Sequence, residues 1–128
     1  MKRDMELVRK ILFAIEESFV ASPIVCLNID GYSDEQVAYH CSMLYKKGYV
    51  AYYTAQVIDD IVAVFAVGGL TWEGCDLLDK IREDTVWNRT KTLITEKGLP
   101  MVLDVIKDVS SAVIASMTEG AIRAIKNG

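Results

Sequence analysis

The chain has 128 residues, of which 52% are hydrophobic and 25% charged, and its formal net charge is −4. These values predict one globular domain with its own core, and they exclude a disordered chain. The three cysteines form no C-x-x-C pair, so we expect reduced thiols rather than a disulfide framework. No uncharged apolar run is long enough for a membrane span and the N-terminus is not a secretory signal, so we expect a cytoplasmic protein without a membrane partner.

Charge is distributed unevenly along the chain. Residues 1–84 contain eight Lys and Arg against fourteen Asp and Glu, whereas residues 85–128 contain six against four. Nucleic-acid binding depends on cations that contact phosphates. The acidic balance of residues 1–84 therefore disfavours DNA as the partner of that part.

The first elements follow from apolar spacing and turn residues. Apolar residues at every fourth position predict a helix over residues 4–19, and Ser22-Pro23 ends it because the residue before proline disfavours helical backbone. The β-branched run of residues 24–29 predicts a strand, and Asp30-Gly31 a turn after it. The repeating helical residues are Leu7, Ile11, Ile15 and Phe19.

A second helix is predicted between Ser33 and Gly48. Ser33 and Gln36 match a capping box, in which each side chain satisfies a free backbone N–H, and Gly48 supplies a left-handed C-cap. The buried stripe of this helix is predicted to contain Val37, Cys41 and Leu44.

The remaining pattern predicts a hairpin and three helices. Residues 49–57 and 61–67 are rich in Val, Ile, Tyr and Phe, with Asp59-Asp60 as the turn between them. Thr71 is predicted to cap a helix that ends near Asp84. Residues 85–97 form a fourth helix, and a fifth runs from Pro100 to about Lys126.

This order predicts the fold class. We expect an α+β, winged-helix-like fold (helix, strand, helix, β-hairpin wing, helix) with two additional C-terminal helices. Residues 1–84 would form the winged-helix-like core. Residues 85–128 would form a C-terminal helical extension packed on it, in a single domain overall.

Four short motifs carry a family resemblance over nearly the whole chain. The sequence resembles the small bacterial and bacteriophage proteins grouped as domain of unknown function 2513. That resemblance implies a phage or prophage context and a winged-helix-like fold, but no activity, because the family has none assigned. Residues 37–50 also resemble the recognition helices of arsenic-repressor-like and MarR-like regulators. The four motifs are Met1-Lys2-Arg3-Asp4, Gly31-Tyr32-Ser33, Tyr39-His40 and Leu70-Thr71-Trp72-Glu73-Gly74.

The second helix also carries the candidate macromolecule-binding residues. His40 has two interpretations, a groove-facing side chain or a structural ring beside the wing. The carboxylates at residues 34–35 and 59–60 oppose phosphate contact, so a protein partner is favoured for this face. The alternative is a DNA-binding transcriptional regulator that acts as a dimer through the 33–47 helix. The candidate residues are Gln36, Tyr39, His40, Met43, Lys46 and Lys47.

No enzyme motif is present, so we predict a non-enzymatic protein without catalytic, cofactor-binding or metal-binding residues. The three cysteines and His40 lack the paired spacing of a zinc site.

Trp72 and Trp87 are predicted to be anchors in the core or at a domain seam. Ala112, Ser116 and Gly120 are spaced by four, which predicts either homodimerisation through the C-terminal helix or packing of that strip on the first helix.

Overall fold

The structure, a computed structural model, describes residues 1–127. The chain divides into two compact units, Met1–Leu78 and residues 79–128. The predicted α+β class and the predicted order of elements are confirmed. In chain order the elements are α1 (Met5–Ser18), β1 (Ile24–Val25), α2 (Asp34–Lys46), β2 (Tyr53–Ile58), β3 (Ile61–Val67), α3 (Trp72–Ile81), α4 (Asp84–Glu96) and α5 (Leu103–Asn127).

Both N-terminal helices begin at a side-chain cap. The Asp4 carboxylate accepts the backbone N–H groups of Glu6 and Leu7, which otherwise have no helical partner. At α2 the predicted capping box is present: Ser33 Oγ accepts the Gln36 N–H at 3.2 Å, and the Gln36 side chain accepts the Ser33 N–H at 2.9 Å. The start of each helix is therefore fixed by its own sequence.

The sheet is small and antiparallel, with strand order β1-β3-β2. The predicted strand over residues 24–29 is wrong in length, because Cys26 has φ +47° and leaves the extended conformation after Val25. The hairpin has a register shift between Gln56 and Val57. Its turn, Asp59-Asp60, has positive φ at both residues, the geometry that matches the twist of a two-residue hairpin.

The core of the first unit lies between the helices and one side of the sheet. Phe65 and Val67 of β3 are buried, and α2 packs against β2, β3 and α1. The predicted α2 stripe is confirmed. Its members Val37, Cys41 and Leu44 are each at most 2% exposed.

The second unit contains α4 and α5 packed against each other. Trp87 and Ile94 of α4 and Ile106 of α5 are buried. With 25 residues, α5 is about 37 Å long, whereas the 13 residues of α4 span about 20 Å. Every described residue of α5 from position 115 onward is exposed, so its C-terminal half has no covering helix in this unit.

Candidate functional site

One side of α2 is exposed along its length. Gln36, Met43, Lys46 and Lys47 are exposed and Tyr39 is half-buried. At about 100° per residue these five positions lie in one strip of the helix surface. The structure therefore brings together five of the six predicted macromolecule-binding residues, and we call this strip the α2 face.

The sixth predicted residue, His40, lies in the interior. Its ring is 3% exposed. Nε2 accepts the backbone N–H of Asp4 at 2.8 Å, and Nδ1 lies 2.7 Å from the carbonyl oxygen of Gln36. The ring is thus the neutral tautomer with its proton on Nδ1. Because both nitrogens are used inside the protein, His40 joins α2 to the start of α1 and is not part of the exposed strip.

Residues from three separate motifs meet around this histidine. The Asp4 carboxylate accepts the hydroxyl of Tyr32 at 3.1 Å, while the Asp4 N–H donates to His40. Burial, the hydrogen bond to Asp4 and the negative charges of Asp4 and Glu6 raise the pKa of Tyr32. These internal contacts give Asp4, Tyr32 and His40 an architectural role.

The hairpin is tied to the acidic first turn of α2. The carboxylate of Glu35 accepts the backbone N–H of Val62 at 2.8 Å. The turn residues Asp59 and Asp60 are exposed and lie two to three positions before Val62. Two pairs of carboxylates that lie far apart in the sequence are therefore close together at one end of α2. This acidic patch consists of Asp34, Glu35, Asp59 and Asp60.

Aliphatic side chains flank the acidic turn. Val57, Ile58 and Ile61 are each about 60% exposed. Ile58 and Ile61 are direct cross-strand partners and share one face of the hairpin, whereas Val57 lies on the opposite face. We call these three residues the wing tip.

The other end of α2 carries exposed aromatic and basic side chains. Beyond β2 and β3, the segments 49–52 and 68–71 stay paired through irregular backbone hydrogen bonds. The last of these is donated by the Thr71 N–H to the Tyr49 carbonyl at 3.1 Å. Trp72 follows immediately, which places its backbone beside Gly48 and the C-terminal turn of α2. The Thr71 hydroxyl also donates to the Gly48 carbonyl.

Trp72 is 80% exposed, so its predicted role as a core or seam anchor is wrong. Burial of a tryptophan depends on which tertiary element covers it, and no local pattern around Trp72 indicates that. Trp87 in contrast is 2% exposed. Trp72 lies at the same end of α2 as Lys46, Lys47 and Tyr45, which is 45% exposed, and we call these four residues the aromatic corner.

The predicted self-association strip of α5 is also exposed. Ala112, Ser116 and Gly120 are all accessible, and an added Cβ at Gly120 would meet open space. Exposed apolar residues of α5, such as Met117 and Ile122, lie outside that strip. The accessible surface of this helix is therefore larger than the predicted small-residue strip.

The cysteines occupy three different environments. Cys75 is exposed, Cys26 is half-buried and Cys41 is buried. Burial raises the pKa of the Cys41 thiol to about 12.

In residues 1–127, no three His, Cys, Asp or Glu side chains converge closely enough to hold a metal ion. Over the same range, no helix has the length and apolarity needed to cross a membrane.

The fold and these surfaces define a small α+β protein that exposes one face of a helix beside a β-hairpin. The family described as "Hypothetical protein (DUF2513)" matches residues 2–100, and the chain belongs to that family. The chain is also 36% identical over 118 residues to an uncharacterized protein of Haemophilus influenzae. That alignment covers 91% of this chain and 98% of the relative. No solved structure gives a significant match.

Proposed function

We propose that this protein is a non-enzymatic, winged-helix-like interaction module that binds a basic protein segment through the acidic patch and the wing tip. The hydrogen bond from Val62 to Glu35 carries the proposal, because it fixes the aliphatic tip against the acidic turn of α2. Carboxylates beside exposed aliphatic side chains suit a basic peptide with apolar residues. The phage or prophage context implied by the family resemblance stays a prediction.

Electrostatics favour protein over DNA at this end of α2. A winged helix that binds DNA inserts the N-terminal part of its recognition helix into the major groove, which the phosphates of both strands border. Here that part carries Asp34 and Glu35, and the hairpin turn adds Asp59 and Asp60. Four carboxylates at the point of approach repel the duplex backbone.

The hydrogen bonds of His40 support a non-enzymatic role. His40 is the single histidine of the chain, and its two nitrogens hydrogen-bond to Asp4 and Gln36. A general base must reach the proton that it removes from a bound molecule. Buried and doubly engaged, His40 does not reach a molecule bound on the α2 face.

The alternative is a DNA-binding transcriptional regulator that acts as a dimer through the 33–47 helix. It is favoured by Gln36, Lys46 and Lys47, which share one exposed strip and supply an adenine-reading amide and two cations. A titration of fluorescent genomic fragments at low salt tests it. Salt-sensitive binding that weakens in Lys46→Ala supports the regulator, and no binding at low salt removes it.

The proposed protein interface is tested by affinity capture with matched surface variants. Wild type, Ile58→Ser with Ile61→Ser, and Val20→Ser are compared, since Val20 is also exposed, at 90%, but lies outside the wing tip. We expect a nuclease-resistant partner with wild type and Val20→Ser that is lost with the double variant. A partner that the double variant retains, or that disappears after nuclease, contradicts the proposal.

A further inference from the structure

The exposed side of α2 has opposite charges at its two ends. Glu35 lies in the first turn and Lys46 in the last. Eleven positions turn a helix by about three full turns, so both side chains leave α2 along nearly the same line, roughly 16 Å apart. A binding partner that matches this face must therefore carry a cation at one end and an anion at the other, with the same spacing.

A second copy of the chain meets that requirement. When two α2 helices cross antiparallel about their midpoints, between His40 and Cys41, Glu35 of each copy stands opposite Lys46 of the other. A two-fold axis repeats the pair, so the contact is self-complementary and closed. We propose that the partner seated on the α2 face is a second copy of this chain, an inference that rests on the protein-binding role proposed above.

The aromatic corner has the chemistry that the acidic patch and the wing tip require of a partner. It combines lysines and exposed aromatic residues at the basic end of α2, where Thr71 ties the start of α3 to Gly48. The wing tip lies at the acidic end, held there through Glu35. Antiparallel crossing therefore brings Trp72 of one copy toward the wing tip of the other.

The apolar area at this contact is large enough to matter. Trp72 is 80% exposed, and a tryptophan can bury roughly 200 Å². The axis repeats the Trp72 contact, and Met43 and Tyr39 lie near the centre of the face. Together with Ile58 and Ile61, which share one face of the hairpin, these side chains supply the apolar part of the contact, and polar atoms must make up the rest of the roughly 800 Å² per partner of a standard interface.

Charge reversal with a mixing control tests this arrangement. Glu35→Lys places like positive charges opposite each other in a homodimer, and Lys46→Glu places like negative charges opposite each other. In a mixed dimer, the changed position 35 of one copy faces the changed position 46 of the other, and the opposite end keeps the native pair of Lys46 and Glu35. The mixture therefore restores attraction at both ends, although each variant alone is repulsive.

Mixing also separates charge pairing from local damage. Glu35→Lys removes the acceptor of the Val62 N–H, and that loss is the same whether the variant is alone or mixed. Glu35→Gln keeps an acceptor for Val62 and only removes the charge, so it is the milder companion variant. A weakening that comes from a displaced hairpin would not recover on mixing, whereas one that comes from like charges would.

The measurement is sedimentation equilibrium or light scattering over a concentration series, with circular dichroism to confirm that each variant is folded. We expect wild type to dimerise, each reversal variant to dimerise at least about tenfold more weakly, and the mixture to recover. Ser116→Arg, on the α5 strip, is expected to leave the wild-type dimer unchanged. The inference is overturned by a wild-type monomer, by a mixture that fails to recover, or by a dimer that only Ser116→Arg disrupts.

These outcomes separate the two proposals. A monomer that still captures a nuclease-resistant partner through Ile58 and Ile61 overturns the self-pairing and leaves the interaction module standing. If the chain is a dimer and its captured material disappears after nuclease, the self-pairing of α2 is supported and the protein-binding role is overturned, because the module then binds nucleic acid.

Discussion

Gly74 is the position where a one-carbon change is expected to have its largest effect on the corner around Trp72. It lies in the first turns of α3, where alanine normally stabilises a helix by up to about 1 kcal/mol relative to glycine. An added Cβ would overlap the backbone carbonyl oxygen of Tyr49. That carbonyl cannot move freely, because it accepts the Thr71 N–H at 3.1 Å.

The clash is expected to outweigh the gain in helix propensity. Overpacking against a fixed group costs about 1–3 kcal/mol, and the upper end applies because the obstacle is backbone. After subtraction of the helical gain, Gly74→Ala is expected to lower the free energy of unfolding by about 2 kcal/mol. For a chain of this size the Tm falls by roughly 6–12 °C.

Gly120→Ala is the matched control. Gly120 is also helical, but its added Cβ would meet open space, so we expect a gain of about 0.5–1 kcal/mol. Thermal and urea unfolding followed by circular dichroism measure both variants. If Gly74→Ala is as stable as wild type, or if the two variants shift the Tm in the same direction, the steric argument is refuted.

Four further predictions concern single side chains. His40→Phe leaves the Asp4 N–H without its acceptor and is expected to lower the free energy of unfolding, measured in urea, by about 1–3 kcal/mol. His40→Gln keeps an acceptor and is expected to lower it less, so equal losses would contradict this role of the ring. Because burial raises the pKa of Cys41 from 9.0 to about 12, the folded thiol keeps a proton that the unfolded thiol loses. Its contribution to stability is complete below about pH 9 and falls by about 1.4 kcal/mol per pH unit as the pH rises toward about 12, a slope that is absent in Cys41→Ala. At about pH 8, below the ordinary thiol pKa, iodoacetamide is expected to label Cys75 in the native protein and Cys41 only after unfolding. Trp72→Phe is expected to shift the fluorescence emission to the blue and to reduce acrylamide quenching, and unchanged quenching would show that its indole is covered.

Local signals allowed much of the fold to be predicted. The capping box at Ser33 and the apolar spacing of α1 depend on residues a few positions apart, and both elements begin within one residue of the predicted place. The predictions were weaker where tertiary contacts decide. The strand from Ile24 ended early at Cys26, and α5 begins at Leu103 rather than at Pro100.

The candidate site shows the same division. Periodicity was enough to predict one strip for Gln36, Met43 and Lys47, because helix geometry relates their positions. It could not place His40, whose ring is covered by the start of α1, thirty-six positions away. Nor could it join Glu35 to Val62, since no local pattern records on which side of a helix a later hairpin folds.

The hairpin turn has a consequence for how its charge is interpreted. Asp59 and Asp60 both have left-handed backbone, with φ of +53° and +62°, a conformation that costs a side-chain-bearing residue roughly 1–2 kcal/mol. Asn-Gly occupies the same turn with less strain. Negative charge at this bend is therefore not a requirement of its geometry. The double replacement Asp59→Asn with Asp60→Gly would keep the loop's outline while making it neutral, so that shape and charge can be examined one at a time.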